Sequence, residues 1–314
     1  MIGQRYTLIS GLRIHLFGST QIVHVDRAST MPISRGTETL LAYLLLQRHR
    51  SIPREVLIEL FWGDQSELKA RSCLSTTLWR LRQVLEPEGI TRGTYLVTTS
   101  SGEIGFNWES DHWLDTTVFE EQMDHLLARE ILNLNDADVQ QFKQGLQLYT
   151  GDILEGIYED WALRERERLR LLHLSCLAHL MYYYKHHGAY EESLTYGKAI
   201  LQRDPLREEI HREMMRLYMA NGQRALAVRQ YETCREILET ELGLDPMPET
   251  LSLYEQIAFE QGTSPVYSSQ AGPDMRHALH QLHLAMQACK KSNDQLQRTI
   301  QLVDRLIDRS VSPR

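Results

Sequence analysis

Between Leu12 and Asn107 the spacing of apolar residues switches from two, to about 3.6, and back to two. A strand sends successive side chains to opposite faces, whereas a helix returns to one face every third or fourth residue. The switch therefore restricts this region to strands, then helices, then strands. Leu12, Ile14 and Leu16 alternate with Arg13 and His15 until Gly18 ends the run, and Gln21 to Val25 with Ile33 continue a strand-rich start over 5–34. The pattern predicts a helix over 36–49, with Leu40, Leu41, Leu44 and Leu45 on one face. A second helix begins at Pro53, a residue suited to the first helical position, and ends near Gly63. A third begins at Asp64, where Asp64-x-x-Glu67 has capping-box spacing, and stops at Leu85 before Pro87. Residues 94–107, TYLVTTSSGEIGFN, then offer two short strands around Ser100-Ser101-Gly102.

Strands, three helices and a hairpin follow one another in the order of a winged helix-turn-helix, an α+β unit. The third helix carries the chemistry. Leu74, Leu78, Leu81 and Leu85 form one apolar stripe. The opposite side presents Lys69, Ser72, Ser75, Thr76 and Gln83, flanked by Trp79 and Arg80, with Arg71 and Arg82 at the edges. Hydroxyls, an amide and guanidinium groups on a helix suit base edges and phosphates in a major groove. On periodicity alone, an ordinary amphipathic helix with a solvated polar face is the simpler reading.

The net charge of −8 over 314 residues is unusual for a nucleic-acid binder, but it is unevenly placed. Residues 1–110 hold 12 Lys+Arg against 10 Asp+Glu; residues 111–260 hold 15 against 28; residues 261–314 hold 7 against 4. The acid lies in the middle, which leaves the N-terminal region free to attract phosphate.

The segment ETLLAYLLLQRHRSIPREVLIELFWGDQSELKARSCLSTTLWRLRQVLEP resembles the DNA-binding domain of the OmpR/PhoB type, most of all the version in the Streptomyces antibiotic regulatory protein family. The resemblance rests on Leu40-Leu41-Ala42, Arg54-Glu55-x-Leu57, Leu60-x-Trp62-Gly63, Ala70-Arg71, and Leu78-x-Arg80-Leu81-Arg82 with Leu85. It implies that helix 67–85 is the recognition helix; loss of Arg80 is expected to relax sequence choice if it reads a base, and loss of Arg82 to weaken all sequences alike if it holds a phosphate. It also implies that 94–107 is the wing, with Thr99, Ser100 and Ser101 at its tip. Trp79 stands where relatives usually carry a small polar residue. Burial under the wing is the first expectation for it; contact with a sugar or a thymine methyl is the alternative.

From Trp113 the resemblance continues into the bacterial transcriptional activator domain of the same family. It is carried by Leu114-Asp115-x-x-x-Phe119, Tyr149-x-Gly151-x-Ile153-Leu154, and Trp161-x-x-x-x-Arg166-Glu167-Arg168-Leu169. Asp204-Pro205-Leu206-Arg207-Glu208-Glu209, Gln230-Tyr231-Glu232, Glu241-Leu242-Gly243 and Pro246-x-Pro248-Glu249-Thr250 complete it. The residues themselves agree. Gly188 and Gly222 stand one tetratricopeptide period of 34 residues apart. In that register Ser193 pairs with Ala227, and Gly197 with Tyr231.

Residues 261–273 read as a linker by their Gly, Ser and Pro. Beyond them Leu279, Leu282, Met286, Cys289, Asn293, Leu296, Ile300, Val303 and Ile307 keep 3-4 spacing, the pattern of a coiled-coil seam. A homodimer is the favoured outcome; a helix folded back on its own repeats is the alternative.

The predicted organisation is mainly α: a winged helix over 1–110, a tetratricopeptide-like helical domain over 111–260, a linker over 261–273 and a coiled-coil helix over 274–314. A DNA fragment-binder ending near Ser110 is expected to keep specificity and lose activation. Enzyme chemistry is not expected: there is no P-loop motif and no catalytic constellation at arguable spacing. His277, His280 and His283, and His186-His187, lack converging carboxylates or thiols, so no metal or cofactor is expected. Cys73, Cys176, Cys234 and Cys289 have no metal or redox spacing and read as core thiols. The start lacks a signal-peptide pattern and no run is long enough for a membrane helix, which points to a bacterial cytoplasmic protein. The expected function is promoter-DNA recognition and activation of transcription. Expected partners are double-stranded DNA, RNA polymerase by resemblance, a second copy, and a protein or small-molecule effector in the repeat groove. The alternative is an interaction scaffold whose winged helix does not read DNA.

Overall fold

The computed structural model describes residues 11–25 and 33–259. The expected linker and coiled coil at 261–314, with Cys289 and the whole seam, lie outside the described residues, as does the start of the predicted strand region. Strand β1 (Leu12–His15) pairs antiparallel with β2 (Gln21–His24), with Leu12 opposite His24 and His15 opposite Gln21. Leu12, Ile14 and Ile22 face the core, as the alternation requires. Ile33 belongs to no strand, because the chain turns there into α1 (Arg35–Leu46). Helix α1 buries Leu40, Leu41, Leu44 and Leu45.

Helix α2 spans Arg54–Trp62 and α3 Glu67–Leu85. Pro53 caps α2 from outside instead of opening it. The capping box expected at Asp64 does not form. Gln65 N–H donates to the Trp62 carbonyl at 3.0 Å, so Asp64 sits in the turn that ends α2, and α3 starts only after Ser66. Glu67 instead pairs with Arg71 at 2.9 Å. Strands β3 (Leu96–Thr98) and β4 (Ile104–Phe106) form the expected hairpin, and Ile104 also exchanges backbone hydrogen bonds with Ile52.

Strand β5 (His112–Leu114) then returns to the first sheet and pairs parallel with β1. It leads directly into α4 (Asp115–Leu127), α5 (Asp136–Leu148) and the 27-residue α6 (Asp160–His186). Helices α7 (Tyr190–Arg203), α8 (Glu208–Ala220), α9 (Arg224–Leu242) and α10 (Pro248–Phe259) follow. The pairs α6–α7 and α8–α9 repeat one design at 34-residue spacing. Gly188 and Gly222 turn at φ +70° and +71°, a region that disfavours any side chain. Their N–H groups donate to Lys185 and Met219, and the next residues donate to Tyr184 and Tyr218. Ser193 and Ala227, paired in the sequence register, are both fully buried. Gly197 lets α8 approach: a Cβ there would lie 2.9 Å from Met214 Cγ. Its counterpart Tyr231 instead stacks on Tyr254 of α10, centroids 4.1 Å apart.

One apolar core runs from Leu12 to Tyr183, through the sheet, α1–α6 and the hairpin. The boundary expected at 110/111 falls between β4 and β5, inside this shared core. A fragment ending near Ser110 would lose β5 and uncover Leu12, Ile14 and Phe17. Among the described residues no helix is long and apolar enough to cross a membrane.

Candidate nucleic-acid interface

Helix α3 is seated by Leu74, Leu78, Leu81 and Leu85, with Ala70 and Val84, all buried against the core. That seating decides which side faces solvent. Lys69, Ser72, Ser75, Thr76, Trp79, Arg80 and Gln83 are exposed together on the outer side. Trp79 is 62% exposed, so the expected burial under the wing does not occur. A helix turns about 100° per residue, which sets Trp79 well over a right angle from the buried stripe.

The cations divide into two groups. Arg71 is exposed but held by Glu67 through two contacts, at 3.1 and 2.9 Å. Arg82 is committed inward, with 16% of its side chain exposed. It donates to Glu86 Oε2 and the Leu96 carbonyl, each at 2.9 Å, and to Thr98 Oγ1 at 3.3 Å. Arg82 therefore fastens the hairpin to α3 and does not stand on the outer face. Lys69 and Arg80, by contrast, have no ion pair or hydrogen bond among the described residues. Two uncompensated cations on one polar helix face attract an anion at close range.

Two residues that the sequence did not place in the site complete the arrangement. Arg54, at the start of α2, donates to Ser75 Oγ at 3.3 Å and adds a guanidinium beside α3. Glu86 lies just past the end of α3, its side chain 2% exposed. Its Oε1 accepts from the N–H groups of Gly93, Tyr95 and Leu96 at 3.0, 2.9 and 2.9 Å. Burial pushes its carboxyl up, but the Leu96, Tyr95 and Gly93 N–H groups and the Arg82 charge outweigh that and hold it below the ordinary range. No sequence pattern marks Glu86, since its partners arrive only when the hairpin folds back. At the hairpin tip Ser100 and Ser101 are exposed, and Thr99 Oγ1 meets Ser101 Oγ at 2.8 Å.

The pieces of the second half that carry the family resemblance have structural work that the geometry makes plain. Asp115, 1% exposed, accepts from Leu16 and Phe17 N–H at 2.9 and 3.0 Å and ties β1 to α4. Phe119 meets Phe17 edge-on at 5.4 Å. Trp161 meets Tyr43 of α1 at 5.0 Å. Arg166 donates to the carbonyls of Ile153, Leu154 and Ile157 and braces the loop before α6. Glu120, buried, holds Arg48, just past the end of α1, and Arg168 of α6 together. Glu208 accepts from Met247 N–H at 2.6 Å and from Thr250, which anchors α10. These contacts tie the first sheet and α1 to the helices that follow, and α8 to α10.

Residues 114–258 match the bacterial transcriptional activator domain. The chain is also similar to regulatory proteins over a stretch longer than that domain. It is 28% identical over 221 residues to the regulatory protein AfsR of Streptomyces coelicolor, which covers 69% of this chain and 21% of AfsR. This chain thus spans about a fifth of AfsR's length. It is 22% identical over 244 residues to the transcriptional regulatory protein MoaR1 of Mycobacterium tuberculosis, covering 74% of this chain and 75% of MoaR1. Mycobacterium tuberculosis EmbR, solved in complex with a low-affinity phosphopeptide, shares the fold with TM-score 0.64 at 18% identity, over 81% of this chain and 67% of EmbR. These matches give residues 114–258 the bacterial transcriptional activator domain and make the chain similar to named regulatory proteins. Among the described residues no group of His, Cys, Asp and Glu could hold a metal. Cys176 and Cys234 are buried and burial pushes both thiols up, the second to about 12.

Proposed function

We propose that this chain is a sequence-specific DNA-binding activator of transcription. In this reading residues 1–110 form a winged helix, α3 enters the major groove of promoter DNA, and the β3–β4 wing flanks it. The observation that carries the reading is the outer face of α3. Lys69 and Arg80 stand exposed and uncompensated there among Ser72, Thr76 and Gln83, on a helix held from behind by the core. Phosphate contacts position such a helix, and base edges are read by amides and guanidinium groups. Arg82 and Glu86 act as positioning residues that hold the wing. The acidic 111–260 region repels DNA and offers its helical pairs to RNA polymerase, a protein partner or an effector. Residues 274–314 dimerise the chain.

The test is selection of bound duplexes from a random pool by the full chain, followed by gel shifts at several salt concentrations. An enriched sequence whose affinity falls steeply with salt is expected. Recovery of no preferred sequence, with binding indifferent to salt, overturns the proposal and favours a protein-interaction scaffold.

A further inference from the structure

The outer side of α3 is not uniform. One flank carries Lys69, Thr76 and Arg80. The other carries Leu68, Ser72 and Trp79, and its two apolar members are 85% and 62% exposed. An indole left in water on an otherwise polar surface, while its helix buries every leucine of its inner stripe, loses the hydrophobic stabilisation available to it. In the groove, that loss is recovered only against an apolar group. Sugar edges lie at the groove walls, and the one apolar group on the base edges of the major groove is the 5-methyl of thymine.

Resting on the DNA-binding reading above, we propose that Trp79 is a specificity-determining residue that packs its indole against a thymine methyl. Lys69 and Arg80, on the opposite flank, direct the helix to the phosphates by charge. The indole then meets the floor of the groove on the other side. Trp79 lies thirteen residues into a 19-residue helix, so it is held by the full length of α3 and does not fray. Leu68 is eleven residues away, about 16 Å along the axis, roughly five base pairs, so one thymine cannot serve both.

The experiment takes the duplex enriched by the full chain and replaces each thymine in turn by uracil, which removes only the methyl. One position is expected at which uracil weakens binding about fourfold, the worth of one buried methyl. Trp79→Ala should bind thymine and uracil at that position alike. Leu68→Ala, a change at a similarly exposed site, should keep the fourfold preference there. Trp79→Ser gives the same readout from a polar surface residue, so misfolding of one variant does not decide the matter. If no thymine responds to uracil, or if the response persists in Trp79→Ala, the inference fails while DNA recognition stands. If no duplex is enriched at all, the DNA-binding reading fails and takes this inference with it.

Discussion

Replacing Glu86 by Ala should loosen the wing more than any single change on the exposed face of α3. The carboxylate accepts three backbone N–H groups of the segment leading into β3 and pairs with Arg82 at 2.9 Å. Hydrogen bonds to a charged group are worth about 1.5–3 kcal/mol when well formed, but donors near the surface regain water when the acceptor is lost. We take about 1 kcal/mol for each N–H and about 1 for the stranded Arg82, so Glu86→Ala should cost about 4 kcal/mol. Glu86→Gln keeps one acceptor oxygen and should cost about 1–2 kcal/mol. The assay is urea denaturation followed by tryptophan fluorescence, with amide exchange read at β3 and β4. Local opening of the hairpin would show first as faster exchange at Tyr95, Leu96 and Thr99, at lower free energy than global unfolding. The lowered pKa sets the pH dependence. The Glu86 contribution is present above about pH 4.5 and is lost as pH falls below it, so the Glu86→Gln variant should lose less stability on acidification over that interval. A Glu86→Ala protein within about 0.5 kcal/mol of the parent, with unchanged exchange at the hairpin, would refute the clamp.

Burial, with Arg203 adding to it, pushes His173 down to about 4 while its unfolded value stays near 6.5. The unfolded chain therefore takes up the proton first, and stability should fall by about 3 kcal/mol between pH 6.5 and 4. His112, His179 and His211 shift in the same direction and add to that fall. His173→Phe, able to keep the stack on Tyr149, should flatten the profile measured by denaturation; an equally steep profile would exclude His173 as its source. Gly197→Ala should cost about 1–3 kcal/mol because its Cβ meets Met214, whereas Gly188→Ala, in open space at φ +70°, should cost about 1; thermal melts compare them. Arg80→Ala should weaken binding of the selected duplex by about 1–3 kcal/mol at unchanged melting temperature, whereas Arg82→Ala should lower the melting temperature first. A stable Arg82→Ala protein that no longer binds would place Arg82 on the DNA instead.

Local physics made much of the fold legible. The alternation of Leu12, Ile14 and Leu16 and the stripe of Leu74 to Leu85 are periodicities that one element satisfies alone, and both appear where the residues put them. The 34-residue register of Gly188 and Gly222 was readable because a helix-ending glycine needs only its own φ. What was not legible depends on distant partners. Strand β5 pairs with β1 across about a hundred residues, and nothing in His112-Trp113-Leu114 announces it. Arg82 and Arg80 look alike in sequence, yet the returning hairpin claims one and leaves the other. Trp79 looked like core because tryptophan usually is; its angular position on α3 put it outside.

The central claim is that Lys69 and Arg80 bring the outer face of α3 onto DNA phosphates and bases. Gel-shift dissociation constants for the selected duplex, measured across a series of salt concentrations with the parent, Lys69→Ala and Arg80→Ala, test it most directly. A linear fall of log affinity with log salt is predicted, its slope smaller by about 0.9 in a variant that has lost one phosphate contact, while both variants bind more weakly than the parent. Equal affinities and equal slopes for all three proteins would contradict it.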